Sequence, residues 1–540
     1  MKKTKTKLSL LACALLTSSN LYGIAPIDYV KNMQVGIGNS AGEQFTRTNS
    51  SYTTQSNGVA VPVNNAHYYF NENSFFTILY DDTNNLGNAM VGRTLYALYI
   101  NTPYCIAYDT TAIEIDSTNT AEALNYFKNN VEIKDNSALL DFEYHNIIYS
   151  SSEDTAISMQ AIQAQTVENT IASDNKNAGN AAVVLQNIID NSANNPKMDG
   201  VINALNKLGS NKQVADAVDS TTPQTSTSSF TASNQISNNV ANIVSQRQTI
   251  TLNGGGLNSG DEMFGNKNVW AKAYGSMGSQ DDKNGVNGFD IDSYGFGVGI
   301  DGEYSDNNQI GVGFFYTNAE VDVNNVSQTS DIDVYSLIVY GSNPVIDNKT
   351  NLMYQVGYSW QKTDSQRDIA FMNTKASADY TSKIASVDLK LLRDYRINDD
   401  LLVQPLISTT YRHFSSPSYS ESGAGALNLD VNKFSSSELI LGVGALAYYK
   451  LDDSSKLFAN VNVGYDLKDD NNTVSSSYQG ASGLSFQTDG IDNGRWNYDL
   501  GVGYEKNISE LSNLSFSYNF QGEGSEYKNH VLSAKYTFKF

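Results

Sequence analysis

The sequence predicts an all-β protein whose C-terminal part is a twelve-stranded antiparallel transmembrane β-barrel with a helix in its pore. A short β-rich region and a helical linker precede the barrel. Three observations predict this class. Segments of about ten residues with alternating polarity recur through 265–540, short and long connections alternate between them, and aromatic residues stand at both ends of the apolar faces.

The alternation is clearest between residues 293 and 304. Tyr294, Phe296, Val298, Ile300 and Tyr304 share one face, whereas the other face carries serine, glycine and acidic residues. A period of two over this length indicates a strand with one apolar side. By this criterion, strands are predicted at about 269–277, 293–305, 309–322, 332–343, 351–361, 380–396, 401–414, 437–450, 456–467, 495–505, 513–521 and 530–540.

The connections favour a membrane barrel over a soluble β-sandwich. Asp306–Asn308 and Asp452–Ser455 are short, whereas 415–436 and 468–494 are long. Outer-membrane barrels have short periplasmic turns and long surface loops. One further alternating stretch, 427–431, lies within a long loop. We expect it to extend a strand beyond the membrane, because a thirteenth strand would break the even count.

Glycines are concentrated on the polar faces, as at Gly295, Gly297 and Gly299. Glycine weakens a strand unless another group must approach closely. We therefore expect the inner wall to leave room for one helix of about 10 Å diameter. The candidate is the pore helix at 235–250, and a plain surface or linker helix is the alternative. The weak apolar stripe of this helix consists of Ile236, Val240, Ile243 and Val244, and the cationic Arg247 follows near its end.

The rest of the chain divides by composition. Residues 1–23 have a basic start, a short apolar stretch and a small polar end, which predicts a secretory signal peptide. Residues 24–175 contain strand-like stretches rich in Tyr, Phe and Ile. Residues 176–234 contain helical stretches at 181–190, 201–209 and 212–218, followed by a Ser/Thr-rich linker at 219–233 that shows no packing pattern.

Charge and motifs exclude several function classes. With 35 basic and 57 acidic residues, the chain lacks the basic footprint that nucleic-acid binding needs. Neither metal ligands at regular spacing nor a cofactor motif is apparent, so we expect no cofactor. Gly38–Gly42 fits the G-x-S-x-G nucleophile elbow around Ser40. That elbow needs an α/β-hydrolase sheet with histidine and acidic partners, so we interpret it as a chance match and expect no enzyme.

These features together resemble the autotransporter family of type V secretion. The resemblance covers about 200–540 and is closest in the barrel: "VWAKAYGS" at the first predicted strand, "LVQPLISTTYRHF" at the seventh and the closing "YTFKF". The stretch "ALNKLGSNKQVADAV" is similar to the segment that precedes many such barrels.

The resemblance implies that the barrel inserts into the lipid of a bacterial outer membrane through the barrel-assembly machinery, after export by the Sec translocon. That machinery would read the last strand. The implied terminal-strand residues are Leu532, Ala534, Tyr536, Phe538 and Phe540. The region 24–175 would be a passenger delivered to the cell surface or secreted. Some family members cut the passenger between two asparagines in the pore helix, which makes Asn238 and Asn239 the candidate cleavage site.

Three functions remain open for the passenger. It is expected to be an adhesin-like module that binds a host or cell-surface ligand, because exposed tyrosine-rich strands suit such contacts. Alternatively, the protein is an outer-membrane channel or structural protein that exports nothing. The third alternative is an esterase-type enzymatic passenger.

Overall fold

The computed structural model falls into two compact units. One comprises the described residues up to Gln165 together with Asn206–Ser210, and the other comprises Thr166–Leu205 and Asn211–Phe540. The described residues are 33–38, 53–56, 59–62, 75–81, 137–150, 154–206, 208–252, 265–305, 307–468 and 472–540. The predicted signal peptide and Ser40 lie outside them.

The first unit contains a six-stranded sheet in the order β3-β2-β1-β4-β6-β5. Its strands are β1 (Met33–Gly38), β2 (Thr53–Ser56), β3 (Val59–Pro62), β4 (Phe75–Asp81), β5 (Leu140–Ser150) and β6 (Asp154–Gln163). β1 and β2 are parallel, and the other pairs are antiparallel. The described residues of this unit are therefore mostly in β-strands.

Five α-helices open the second unit among its described residues. They are α1 (Val167–Thr170), α2 (Lys176–Asp190), α3 (Asp199–Leu205), α4 (Asn211–Asp219) and α5 (Gln224–Leu252). We call α1–α4 the cap helices and α5 the lumen helix. Within the described part of the chain, no helix has the length and apolar character needed to cross a bilayer.

Twelve long antiparallel strands close into a barrel, which confirms the predicted fold. The last strand pairs with the first from Tyr527↔Gln280 to Lys539↔Asn268, so the sheet has no free edge. The strands are β7 (Gly265–Gln280), β8 (Phe289–Ser305), β9 (Asn308–Val323), β10 (Gln328–Pro344), β11 (Thr350–Ile369), β12 (Thr374–Arg393), β14 (Leu401–Ser416), β17 (Phe434–Lys450), β18 (Ser455–Asp466), β21 (Trp496–Ser509), β22 (Ser512–Glu523) and β23 (Tyr527–Lys539). A two-residue strand, β13 (Tyr395–Arg396), pairs beside β14.

The two faces of each strand differ as the alternation predicts. Tyr294 and Ile300 are 64% and 46% exposed on the outside, whereas Ser293 is buried on the inside. A barrel with an apolar outer surface and a polar interior is suited to lipid. Most strands are longer than the predicted segments; β11, for example, runs to Ile369 where the apolar alternation predicted an end at 361.

Four short strands at the long-loop end form a separate sheet in the order β15-β16-β19-β20, which we call the surface sheet. They are β15 (Tyr419–Ser420), β16 (Leu429–Val431), β19 (Thr473–Tyr478) and β20 (Ser485–Asp489). The expectation that 427–431 extends a barrel strand is therefore wrong. β16 pairs instead with β19, which comes from the other long loop, and Leu429 and Val431 are buried.

The wall glycines make room for aromatic rings rather than directly for a helix. Gly299 lies opposite Trp270, and Gly297 lies opposite Phe315, on neighbouring strands. A Cβ at either glycine would collide with the ring that covers it. The expected reason for these glycines is corrected accordingly: ring and glycine fill the space together, and the lumen helix packs on the rings.

Candidate functional site

The lumen helix passes through the barrel from the long-loop end to the turn end. Near its start, the backbone amide of Gln224 donates to Gln328 Oε1 at 3.1 Å, where β10 begins at the same end of the barrel as the long loops. Near its end, Arg247 pairs at 2.7 Å with Asp301, close to the short turn that follows β8. Because long loops face the cell surface in such barrels, the helix runs from the surface inward.

The structure corrects the predicted start of this helix. The composition suggested a linker at 219–233 and a helix from 235, yet the helix begins at Gln224. Serine and threonine disfavour helices in water because their hydroxyls compete for the backbone. Inside the lumen the hydroxyls of Thr227, Ser228 and Ser233 are satisfied within the helix, as where Ser233 donates to the Ser229 carbonyl at 2.6 Å.

One side of the lumen helix packs against an aromatic and aliphatic wall. Ile236 belongs to a buried cluster with Phe289 and Ile291. One and two turns further on, Val240, Ile243 and Val244 form a second buried cluster with barrel residues. The barrel members of that cluster are Trp270, Tyr274, Phe315, Ile338 and Tyr340. The apolar stripe found in the sequence is thus the side of the helix that packs on the wall.

Arg247 is fully buried at the centre of a polar network. Its Nε and Nη2 donate to the two carboxylate oxygens of Asp301 at 2.8 and 2.7 Å. Asp301 also accepts bonds from Asn268 at 3.1 Å, Gln309 at 3.1 Å and the Tyr340 hydroxyl at 2.8 Å. A buried charge pair is tolerable only when its remaining hydrogen-bonding capacity is used in this way.

The candidate cleavage residues lie in the middle of this helix. Arg412 donates to Asn238 Oδ1 and pairs with Glu438 at 3.0 Å. Asn239 is buried and donates through Nδ2 to Ser276 at 3.2 Å. Both side chains are therefore bound by the barrel, and cleavage between them stays a prediction.

The cap helices dock on the surface sheet and on the barrel rim through a buried arginine. Arg367 Nη2 pairs with Glu421 Oε2 at 2.5 Å, and both side chains are almost fully buried. Arg367 Nη1 donates to the Ser220 carbonyl at 2.8 Å, just after α4 ends. The adjacent Thr221 hydroxyl lies 2.7 Å from the Tyr478 hydroxyl of β19. One guanidinium thus joins the barrel, a surface loop and the segment that precedes the lumen helix.

A second contact fixes α2 to β20. Lys176 Nζ lies 2.7 Å from Asp489 Oδ2, and Thr473 donates to the other oxygen at 2.6 Å. Burial alone would raise the pKa of Asp489, but the hydrogen bonds from Lys176 and Thr473 outweigh it and hold the pKa below 3.8. The carboxylate is therefore charged at neutral pH.

Two polar cavities lie at the ends of the occupied lumen. The cavity at the turn end has a volume of about 330 Å³ and is lined by Arg247, Lys456 and Glu505 among others. The cavity at the surface end measures about 270 Å³ and lies beside Phe230 and Glu523. No cluster of ligands suited to a metal ion occurs among the described residues.

The residues implied for barrel assembly lie on the outer face of β23. Leu532 and Phe540 are 66% and 60% exposed, and Tyr536 and Phe538 also face outward. Ala534 is half-buried on the same face. This placement leaves the side chains accessible to lipid or to another protein, and their recognition by the assembly machinery stays a prediction.

Sequence reasoning missed the partners of the central charges. The alternation of β8 puts Asp301 among the acidic residues of the inner face but does not bring it to Arg247, and it gives no role to Arg367 or Glu421. The one usable signal was a charged residue on an otherwise small and polar inner face, as at Asp301.

Comparison with known proteins identifies the family to which the barrel is similar. Residues 269–519 match the family model of the autotransporter β-domain. Outer membrane protein B of Rickettsia prowazekii (strain Madrid E) is 29% identical over 201 residues, which are 35% of this chain and 12% of that protein. The extracellular serine protease of Serratia marcescens is 25% identical over 190 residues, 34% of this chain and 18% of that protein.

The chain therefore spans under a fifth of the length of these relatives, and the match to the serine protease lies only in the barrel. Among solved structures, the translocator domain of autotransporter NalP from Neisseria meningitidis is similar, with 16% identity, a TM-score of 0.46 and coverage of 57% of this chain and 98% of that one. An autotransporter β-domain is not itself catalytic. Residues 269–519 of the chain therefore form an autotransporter β-domain, and this barrel lies in the bacterial outer membrane.

Proposed function

We propose that the barrel carries its own N-terminal region to the cell surface and keeps it displayed there as an adhesin-like binding module. The observation that supports this most directly is the path of residues 166–252. The lumen helix enters at the surface end, and the segment before it docks on the surface sheet through Arg367 and Asp489. Thr166, where this segment begins, thus lies on the surface side of the barrel.

Display is favoured over release by the number of independent attachments. The lumen helix is held by a buried ion pair at Arg247, and the cap helices are held by Arg367 and by Asn177. A passenger joined to both would stay with the cell. An open channel is a weaker alternative, because the lumen helix occupies the pore along its length.

The binding role rests on composition. The chain has 34 tyrosines and only 17% charged residues, and tyrosine gives large contact area with a polar end. We propose a protein or glycan ligand on the host or on another cell. Deleting 24–165 should abolish attachment of expressing cells to the target surface and leave the barrel inserted.

Surface proteolysis of intact cells tests display. An epitope between β5 and β6 should be lost on adding protease, whereas an epitope at Asp452–Ser454, in a short turn, should survive until the membrane is permeabilised. Protection of both epitopes in intact cells would overturn export. Appearance of the first epitope in the medium would overturn retention.

An enzymatic passenger is tested separately. Ser40→Ala should leave any ester hydrolysis by whole cells unchanged. A loss of such activity in this variant would establish the esterase alternative against the binding module.

A further inference from the structure

The seam between β7 and β23, the first and last strands, carries an unfavourable charge pair. Lys272 and Lys535 are direct partners in the register of this seam. Both side chains are buried inside the lumen, with exposures of 4% and 2%. Like charges directly opposite each other on adjacent strands destabilise the pairing, and poor solvation strengthens the repulsion.

Two other strand pairs show the opposite arrangement. Arg412 lies directly opposite Glu438 across β14 and β17, and the two side chains pair at 3.0 Å. Lys456 lies opposite Glu505 across β18 and β21 and pairs at 3.1 Å. Directly opposed inner-wall residues therefore carry complementary charges at these two places, whereas at the seam both are lysines.

The lumen helix bonds to the wall on both sides of this seam. Asn239 donates to Ser276 on β7 at 3.2 Å and accepts from Asn529 on β23 at 3.4 Å. A single side chain thus joins the first strand to the last. All three residues are buried, so water does not compete freely for these bonds.

Gln246 makes a second bridge two turns further along the helix. Its Oε1 accepts from Lys272 Nζ at 2.8 Å, and its Nε2 donates to Asn519 on β22 at 3.1 Å. Oε1 also accepts from Ser517 on β22 at 3.4 Å. Gln246 therefore supplies Lys272 with a hydrogen-bond acceptor. It also links β7 to β22, the strand next to β23.

We infer that the lumen helix is the clamp that holds the β7–β23 seam closed, and that the lysine pair weakens this seam whenever the helix is not seated. The barrel would then be least stable at its seam while the chain is still passing through the lumen. The seam would become fully closed when the lumen helix reaches its final position. This device depends on the helix and the wall alone, whatever the passenger binds.

Hydrogen exchange on the full-length protein in detergent micelles tests the clamp. In Asn239→Ala/Gln246→Ala, amides of β7 and β23 should exchange about tenfold faster than in the wild type, because roughly two net hydrogen bonds are lost. Amides of β14 and β17 should be unaffected. Alanine favours helix more than either replaced residue, so the helix itself is not weakened.

Gln248→Ala is the matched control, since Gln248 bonds to the Gly341 carbonyl at 2.6 Å and so contacts β10 rather than the seam. It should leave exchange in β23 unchanged. Adding Lys535→Gln to the double variant should bring seam exchange back toward the wild-type rate. Unchanged seam exchange in the double variant, or equal acceleration in β14 and β17, would overturn the clamp. Failure of Lys535→Gln to slow the exchange would overturn the role of the lysine pair.

Discussion

Asn177 of α2 takes the place of a neighbouring strand at the edge of the surface sheet. The backbone amide of Asp489 donates to Asn177 Oδ1 at 2.8 Å, and Asn177 Nδ2 donates to the Asp489 carbonyl at 3.0 Å. Asn180 adds a bond to the Gln487 carbonyl at 3.0 Å. Helix α2 thereby covers the exposed edge of β20, which would otherwise offer a pairing surface to another chain.

Replacing Asn177 with alanine should loosen the cap helices. The change leaves two backbone groups of Asp489 without their partners, which costs about 1–3 kcal/mol of docking free energy. Limited proteolysis of the purified protein should cut the cap helices faster, whereas the barrel stays intact. Asn191→Ala is the control, because its side chain bonds only within the exposed end of the same helix. Equal proteolysis of both variants would contradict the role of Asn177.

Breaking the Arg247–Asp301 pair should destabilise the occupied barrel. Asp301→Asn leaves a buried guanidinium without its counter-charge, and such losses cost about 3–5 kcal/mol of the free energy of unfolding. The temperature at which the barrel unfolds on heating in SDS should drop. Asp347→Asn is the comparison, since its ion pair with Arg393 is 42% exposed on both sides and contributes little to stability. Similar decreases of the unfolding temperature in the two variants would show that burial does not strengthen the Arg247–Asp301 pair.

Acid should weaken the contact between α2 and β20. The pKa of Asp489 lies below its ordinary value of 3.8 because Lys176 and Thr473 bind the charged form. The stabilisation is therefore complete above pH 3.8 and is lost as the pH falls through the lower pKa of the folded protein. Protease sensitivity of α2 should rise in that acidic window. Asp489→Asn should show the raised sensitivity at neutral pH with less dependence on acid; a steep acid response in this variant would point to another group.

A charge placed in the middle of the outer wall should impair insertion. Val443 is 63% exposed, midway along the apolar outer face of β17. Arginine there should cost about 2–4 kcal/mol of stability in the bilayer, whereas Thr381→Arg, nearer the surface on the same outer face, should cost about 0–1 kcal/mol. The two variants are compared by the fraction of each protein that folds from urea into lipid vesicles. Equal yields would place Val443 outside the lipid.

The sequence predicted the barrel well because each strand records its surroundings locally. In β8, the alternation of apolar and polar residues is enough to predict that Tyr294, Phe296 and Ile300 face lipid. The apolar stripe of the lumen helix was visible for the same reason. Strand ends were underestimated where the strand leaves the membrane, since both faces become polar there, as beyond Trp360 on β11.

The cap and the partners of Arg247 could not be found in this way. Arg367 and Glu421 meet only after a long loop folds back, and no local period records that contact. The Ser/Thr-rich stretch before Ile236 resembles a linker by propensity. It becomes helix because the lumen buries it, and burial of that kind depends on the closed barrel rather than on neighbouring residues.

The pairing of Trp270 with Gly299 also gives the protein a natural optical reporter. The chain has three tryptophans; Trp360 and Trp496 are 42% and 51% exposed on the outer wall, whereas Trp270 is 1% exposed against the lumen helix. Brominated lipids should quench the emission of the outer two and spare that of Trp270. The fluorescence that survives would then follow the arrival of the helix in the pore in real time, without any added label.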